Sequence, residues 1–144
     1  MPVRDQVTVL HACPSGVPFR TIITKIQNHT WFQFRNDQGW VCFGKDQTGP
    51  IGSEDRVICR DDPRGQAVYI LDKILSAVSA LGGQRSDIVR TRVYLANQDH
   101  CENVSRVHGR YFEGLNPVNT TIEVSNLIGD HLVEIEAEAI VDEG

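Results

Sequence analysis

Residues 132–141 read LVEIEAEAIV, in which apolar and acidic side chains alternate with a period of two. This period is typical of a β-strand, because successive side chains point to opposite faces of the sheet. The apolar set comprises Val133, Ile135, Ala137 and Ala139. We expect it to face a layer of helices, so that Glu134, Glu136 and Glu138 face the other way. A sheet face that mixes charged and apolar groups without covering helices is either an oligomer surface or a solvated one.

Upstream of this strand, the clearest helical pattern begins at Asp61-Asp62-Pro63. An acidic N-cap followed by a first-turn proline favours a helix start, and Gly82-Gly83 supplies a stop. Apolar residues recur between them at helical spacing, namely Ala67, Ile70, Leu71, Ile74, Leu75, Val78 and Leu81. The pattern predicts a helix whose apolar stripe packs on the sheet.

The first 60 residues show strand patterns separated by irregular segments. The prolines and glycine within residues 1–20 predict an irregular lead-in, and the β-branched residues 21–24 predict a strand. Residues 31–34 and 40–43 flank a short polar loop and predict a hairpin. A loop with a short strand at residues 56–59 follows. The face opposite the helices is expected to receive Trp31, Trp40 or Val93, depending on register.

The second half of the chain predicts one more strand, one more helix and two closing strands. Residues 88–95 are rich in β-branched side chains and predict a strand. Asp99 is the expected N-cap of a second helix that ends at Asn116-Pro117. Its apolar stripe consists of Val104, Val107, Tyr111 and Leu115. Residues 119–125 and 132–141 are predicted to form a closing hairpin with a turn around Gly129-Asp130.

This order of elements predicts an α/β protein, built as a two-layer α+β sandwich with both helices on one face of a single sheet. The chain has 144 residues, which is one domain's worth of sequence. We assign residues 1–25 to an N-terminal extension and residues 26–144 to a single domain.

Composition argues against several function classes. The formal net charge of -5 gives no electrostatic footprint for nucleic acid. The apolar runs are too short to span a membrane. The N-terminus lacks the apolar core of a signal peptide, which predicts a cytoplasmic protein. The four cysteines show no metal-ligand spacing and the five histidines are scattered, so we expect free thiols and no metal site.

Two blocks, DIVRT at residues 87–91 and VEIEA at residues 133–137, make the sequence resemble the YjgF/RidA family. The resemblance runs from Gln66 to Val141 and is weaker from Trp31. It implies a mixed sheet of the chorismate mutase-like type and a homotrimer whose sheets form a central barrel with clefts between subunits. It also implies an activity that needs no cofactor, the hydrolysis of reactive enamines or imines to 2-keto acids and ammonia.

The resemblance assigns roles residue by residue. Glu134 matches the family glutamate that positions the hydrolytic water. The family arginine that binds the substrate carboxylate stands two residues after a proline, but here Pro117 is followed two residues later by Asn119. The carboxylate-binding cation is therefore missing from its usual place. Lys45 could replace it, and Arg35 or Arg92 are further candidates.

The remaining cleft positions depart from the family pattern. Thr121 stands where many relatives have cysteine, and Phe43-Gly44-Lys45 replaces a Ser-Gly-Gln segment, keeping only the glycine. Ser105 takes the place of a helix asparagine, and Trp31 that of an aromatic residue. The predicted site therefore consists of Glu134 as the catalytic residue and of substrate-binding residues Asn119, Thr121, Gly44, Phe43, Lys45, Ser105 and Trp31.

Three functions are compatible with this pattern. The first is hydrolysis of a small enamine or imine metabolite, with Glu134 as acid and base. The second is a non-catalytic trimer that binds an uncharged or cationic metabolite, since the arginine is missing. The third, ribonuclease or translation-inhibiting activity, is disfavoured by the acidic charge and by the lack of a basic aromatic stripe.

Overall fold

The computed structural model describes the backbone of residues 5–12, 18–26, 29–36 and 40–43, and the chain from residue 49 to 141 with its side chains apart from that of Ser53. These residues form seven strands and two α-helices. The elements are β1 Asp5–Ala12, β2 Pro18–Ile26, β3 His29–Asn36, β4 Trp40–Phe43, α1 Pro63–Ala80, β5 Ile88–Leu95, α2 Cys101–Tyr111, β6 Val118–Glu123 and β7 Val133–Ile140.

The strands form one mixed sheet in the order β1-β2-β3-β4-β7-β5-β6. β7 is antiparallel to both of its neighbours, β4 and β5, whereas β6 lies parallel to β5 at the edge. The predicted closing hairpin is therefore wrong, because β6 and β7 are separated by β5. The physical reason is burial: the apolar face of β7 is fully covered only in the sheet interior, whereas β6 is largely exposed.

Both helices contribute to one core on a single face of the sheet, as the α/β sandwich prediction required. α1 packs against α2 and β7. The buried side chains of β7 are Val133, Ile135, Ala137 and Ala139, as the alternation predicted. Val93 pairs with Ile135 and is buried with them, so its expected place on the glutamate face is wrong.

α1 begins and ends where the sequence predicts. The Asp62 side chain accepts a hydrogen bond from the Arg64 amide at 3.0 Å, Pro63 opens the first turn, and Gly82 follows the helix with φ +85°. The second helix is shorter than predicted. Asn97, rather than Asp99, supplies the capping oxygen for a short 3-10 turn that leads into α2.

Two further expectations are wrong. Residues 5–12 form β1, paired antiparallel with β2, although the sequence predicted an irregular lead-in. Val7 and Val9 alternate as strand residues do, and Pro18 stands only at the start of β2, where proline is tolerated. Residues 56–59 do not form a strand, since Val57 makes only an isolated bridge to Ile51. The assignment of residues 1–25 to an extension stays a prediction.

A buried polar contact joins α2 to the sheet and predicts a pH dependence of stability. His108 Nε2 lies 2.8 Å from the Oγ1 of buried Thr91, and burial lowers the pKa of His108 below its ordinary value of 6.5. The unfolded chain therefore takes up a proton that the folded chain resists, so the free energy of unfolding falls as the pH drops below about 6.5. It is fully regained above that pH.

We expect His108→Gln to show a smaller loss of unfolding free energy than the natural protein between neutral pH and about pH 5. Urea unfolding at both pH values measures this difference. His100→Gln is the matched control, because His100 lies at the start of α2 outside this contact. A pH dependence that is the same in His108→Gln and in the natural protein would contradict the assignment.

Candidate functional site

Glu134 lies near the start of β7 on the sheet face that carries no helix, opposite Tyr94 of β5. Its Oε1 is 2.8 Å from Nε2 of His131, three residues earlier. The side chain of His131 is 3% exposed and that of Glu134 is 29% exposed. A partly exposed carboxylate is therefore in hydrogen-bonding contact with a buried imidazole.

The local backbone positions this imidazole. Gly129 has φ +129°, and a Cβ there would lie 2.9 Å from His131 Nδ1, so the turn leaves room for the ring only because residue 129 is glycine. On the C-terminal side, the Leu132 amide donates to Oε1 of buried Gln66 at 2.7 Å. Gln66 thus fixes the chain between His131 and β7 to helix α1.

The protonation of the pair follows from its hydrogen bonds. An ionised carboxylate only accepts, so Nε2 of His131 carries the shared proton when Glu134 is charged. Nδ1 of His131 is buried and has no hydrogen-bond partner among the residues that the structure describes with side chains. Within residues 49–141 the imidazole therefore has one polar contact, and that contact orients Glu134.

Glu134 and His131 stand in the wall of an open cleft of about 500 Å³. A cleft of this size suits a small metabolite. Its floor and rim combine apolar side chains with two carboxylates. The described lining residues are Gly49, Ile51, Tyr94, Val124, Asn126, Leu127, Ile128, His131, Glu134 and Glu136.

A second carboxylate of the cleft belongs to an ion-pair network. Tyr94 Oη donates to Glu136 Oε2 at 3.1 Å, and Arg92 Nη1 lies 3.5 Å from the same oxygen. Arg92 is closer to Glu138, at 2.9 Å. The hydrogen bond to Glu138 is the main cause of the raised pKa of Arg92, whereas burial followed by the charge of Glu136 raises the pKa of Tyr94.

A separate polar cluster lies on the helix side of the sheet at its β6 edge. The Thr121 hydroxyl donates to Asn119 Oδ1 at 2.9 Å, and Asn119 Nδ2 donates to Thr91 Oγ1 at 2.9 Å. Thr91 in turn contacts His108. Because Thr91 is three residues from Tyr94 on β5, the two residues point to opposite faces. Asn119 and Glu134 therefore lie on opposite faces of the sheet within one chain.

The structure thus brings the predicted site residues together only in part. Glu134 is in the cleft, whereas Asn119 and Thr121 pair with each other elsewhere. Ser105 is exposed on α2, 3.7 Å from Cys101 Sγ. Gly44 and Lys45 lie outside the described residues, and of Trp31 and Phe43 only the backbone, in β3 and β4, is described.

Sequence reasoning missed His131 and Tyr94. His131 is one of five scattered histidines in the sequence, and its position just before an alternating strand is the only signal there of a role. Tyr94 could be found only from the β5–β7 register.

Among residues 49–141, no three His, Cys, Asp or Glu side chains are arranged to hold a metal ion. None of the helices in the described residues is long and apolar enough to cross a membrane.

A mixed sheet covered by two helices on one face, with an acidic cleft on the other, defines a small α/β protein whose uncovered face carries an open cleft. Residues 45–141 match the family model described as endoribonuclease L-PSP. The chain belongs to this family, which is also known as the YjgF or Rid family. The resemblance found in the sequence is thereby confirmed.

Three similar proteins are named for the family. A RutC family protein of Pyrococcus horikoshii is 31% identical over 90 residues, which cover 62% of this chain and 71% of that protein. A Mycobacterium tuberculosis structure, a member of the highly conserved YjgF/YER057c/UK114 family, has a TM-score of 0.65 at 31% identity and covers 78% of this chain and 86% of that one. YyfA from Yersinia pestis, a protein of unknown function in the Rid family, has a TM-score of 0.70 at 25% identity, covering 81% and 90%.

Proposed function

We propose that this protein hydrolyses a small enamine or imine metabolite in clefts between the subunits of a homotrimer. The observation that carries the proposal is the buried His131 ring, which holds the Glu134 carboxylate at 2.8 Å in the wall of the cleft. Such a carboxylate can orient water and move protons. The cytoplasmic location stays a prediction.

The chemistry needs only water and one proton-transferring group. Water adds to the carbon of the C=N bond while Glu134 accepts one of its protons, and that proton passes to nitrogen. Glu134 then takes the hydroxyl proton of the resulting carbinolamine and returns it to nitrogen, so the C–N bond breaks as the C=O bond forms and an aldehyde or ketone and ammonia are released. Oε1 of Glu134 is in contact with His131. Among residues 49–141 no hydrogen bond is made to Oε2, so this oxygen can accept a hydrogen bond from the reacting water.

The homotrimer is part of the proposal because one chain does not complete the predicted site. β6 is an edge strand, and its Val118 and Ile122 side chains are 61% and 45% exposed. Ile122 pairs with Tyr94 and so shares the face of Glu134. A second copy docked along the β6 edge would cover these apolar side chains, and in the proposed trimer Asn119 and Thr121, which lie at that edge, border the cleft of the neighbouring subunit.

The activity is tested with enzymatically generated 2-aminoacrylate and 2-iminopropionate, followed by the release of pyruvate and ammonia. Light scattering on the same preparation gives the number of subunits. Acceleration over the spontaneous reaction supports the proposal. No acceleration of these or of uncharged imines would overturn it.

His131→Phe is expected to lower activity with little change in stability. Phenylalanine fills a similar volume and removes the buried Nδ1, which has no partner among the described residues, but it also removes the Nε2 hydrogen bond to Glu134; the two effects offset each other, so the free energy of unfolding changes by less than about 1 kcal/mol. The substitution also removes the hydrogen bond that orients Glu134, so kcat falls about tenfold with little change in KM. Urea unfolding and initial rates measure the two effects. His100→Phe is the control, and an unchanged kcat in His131→Phe would count against the positioning role.

A non-catalytic metabolite-binding trimer is the second candidate. Asn119, which replaces the family arginine, is bonded within the Thr91–Thr121 cluster and carries no charge. Thermal-shift screening against amines and carboxylates tests this function, since a bound ligand raises apparent stability. Binding without turnover would favour it. Ribonuclease activity is a weaker candidate, because the carboxylates of the cleft repel phosphates.

A further inference from the structure

The charge of the cleft wall restricts what the cleft can bind. Two carboxylates, Glu134 and Glu136, line it, and the described lining residues include no lysine or arginine. Tyr94 lines the same wall, but its hydroxyl donates to Glu136. The described part of the wall therefore presents negative charge and apolar surface to a ligand.

Arg92 is the nearest described arginine on this sheet face, and it is already paired. Its guanidinium lies 2.9 Å from Glu138 and 3.5 Å from Glu136. Glu138 is four residues beyond Glu134 on the strand, which is about 13 Å at the usual rise per residue. Arg92 thus extends away from Glu134, and turning it towards a ligand would leave Glu138 without this partner.

Asn119 does not restore the missing charge from the β6 edge. Its Oδ1 accepts from Thr121 and its Nδ2 donates to Thr91, so the amide plane is fixed. The hydrogen bonds run in one direction, from Thr121 through Asn119 and Thr91 to Nε2 of a neutral His108. What this cluster can offer a ligand is uncharged: the second Nδ2–H of Asn119 and the lone pairs of Thr121.

We infer that the substrate is an imine or enamine without a carboxylate, either uncharged or cationic, an inference that rests on the proposed hydrolytic function. A carboxylate about 5 Å from Glu134 would bind about two- to three-hundredfold more weakly than an uncharged group at an effective dielectric constant of about 20. A protonated iminium binds more tightly than an uncharged group, because the charge of Glu134 attracts it. It is also the form that water attacks most readily, and hydrolysis still yields one carbonyl compound and ammonia.

A paired-substrate experiment tests the inference. A flavin amine oxidase converts benzylamine to its aldimine, and an amino-acid oxidase converts alanine to 2-iminopropionate. The purified oligomer is added to each, and the carbonyl product is followed with an NADH-dependent dehydrogenase specific for that product. We expect kcat/KM for the aldimine to exceed that for 2-iminopropionate at least tenfold. Added salt and Glu136→Gln should both narrow this ratio, because each weakens the repulsion.

The outcomes separate the inference from the function on which it rests. Glu102→Gln, on the exposed face of α2, is the control and should keep the ratio unchanged. Faster hydrolysis of 2-iminopropionate overturns the inference and leaves the hydrolase intact; if Lys45→Met then abolishes that preference, Lys45 is the carboxylate-binding cation. No acceleration of either imine overturns the hydrolytic function and the inference together.

Discussion

Replacing Glu134 with glutamine is expected to lower kcat for imine hydrolysis by about a hundredfold to a thousandfold, the usual contribution of a general acid–base group. Glutamine keeps the size of the side chain, and its amide oxygen can still accept from His131. It cannot take a proton from water or return one to nitrogen. The loss should therefore fall on kcat, with KM nearly unchanged for an uncharged imine.

Glu138→Gln is the matched control for this prediction. Glu138 lies on the same strand and face as Glu134 but pairs with Arg92 and does not line the cleft. Its replacement should leave kcat within about twofold. Initial rates with the same imine at saturating concentration compare the two variants. Equal losses in both, or none in Glu134→Gln, would show that Glu134 is not the proton-transferring group.

Gln66→Leu is expected to lower the free energy of unfolding by about 2–4 kcal/mol. Gln66 is fully buried near the start of α1. Its Nε2 donates to the carbonyls of Cys59 and Arg60 at 3.1 and 3.2 Å, and its Oε1 accepts from the Leu132 amide at 2.7 Å. Leucine fills the space but leaves the Leu132 amide and the Arg60 carbonyl without these partners, and each costs about 1–3 kcal/mol if it stays unpaired. The Cys59 carbonyl still accepts from the Asp62 amide at 2.8 Å.

Urea unfolding monitored by circular dichroism measures this loss. Gln98→Leu, at an exposed position, is the control and should change stability by less than about 0.5 kcal/mol. Because Gln66 fixes the residue after His131, the variant should also lose activity under conditions where it is folded. A stability equal to that of the natural protein would mean that the three hydrogen bonds are replaceable.

Elements with a strong local pattern could be predicted from the sequence. The strand at residues 88–95 has the predicted bounds, and α1 begins after its predicted cap, because periodicity and capping act over a few residues. The alternation in β7 likewise identified its buried face. These features need no knowledge of the partner elements.

Features that depend on distant contacts could not be predicted. β7 lies between β4 and β5 because its apolar face needs to be covered more than that of β6. This difference emerges only when all strands of the sheet are compared. The role of His131 depends on the turn at Gly129, on the buried Gln66 and on the cleft wall. No periodic pattern in the sequence reveals these three features. Asn97 and Asp99 are both acceptable caps, and only the conformation of the chain decides between them.

Subunit complementation tests the central claim most directly, namely that Glu134 of one subunit acts beside Asn119 of the next. Glu134→Gln and Asn119→Leu are each expected to be nearly inactive. Refolded together in equal amounts, they should regain about a quarter of the natural activity, because about one cleft in four then combines an intact Glu134 with an intact Asn119. Activity of the mixture no greater than the mean of the two variants alone would contradict a site shared between subunits.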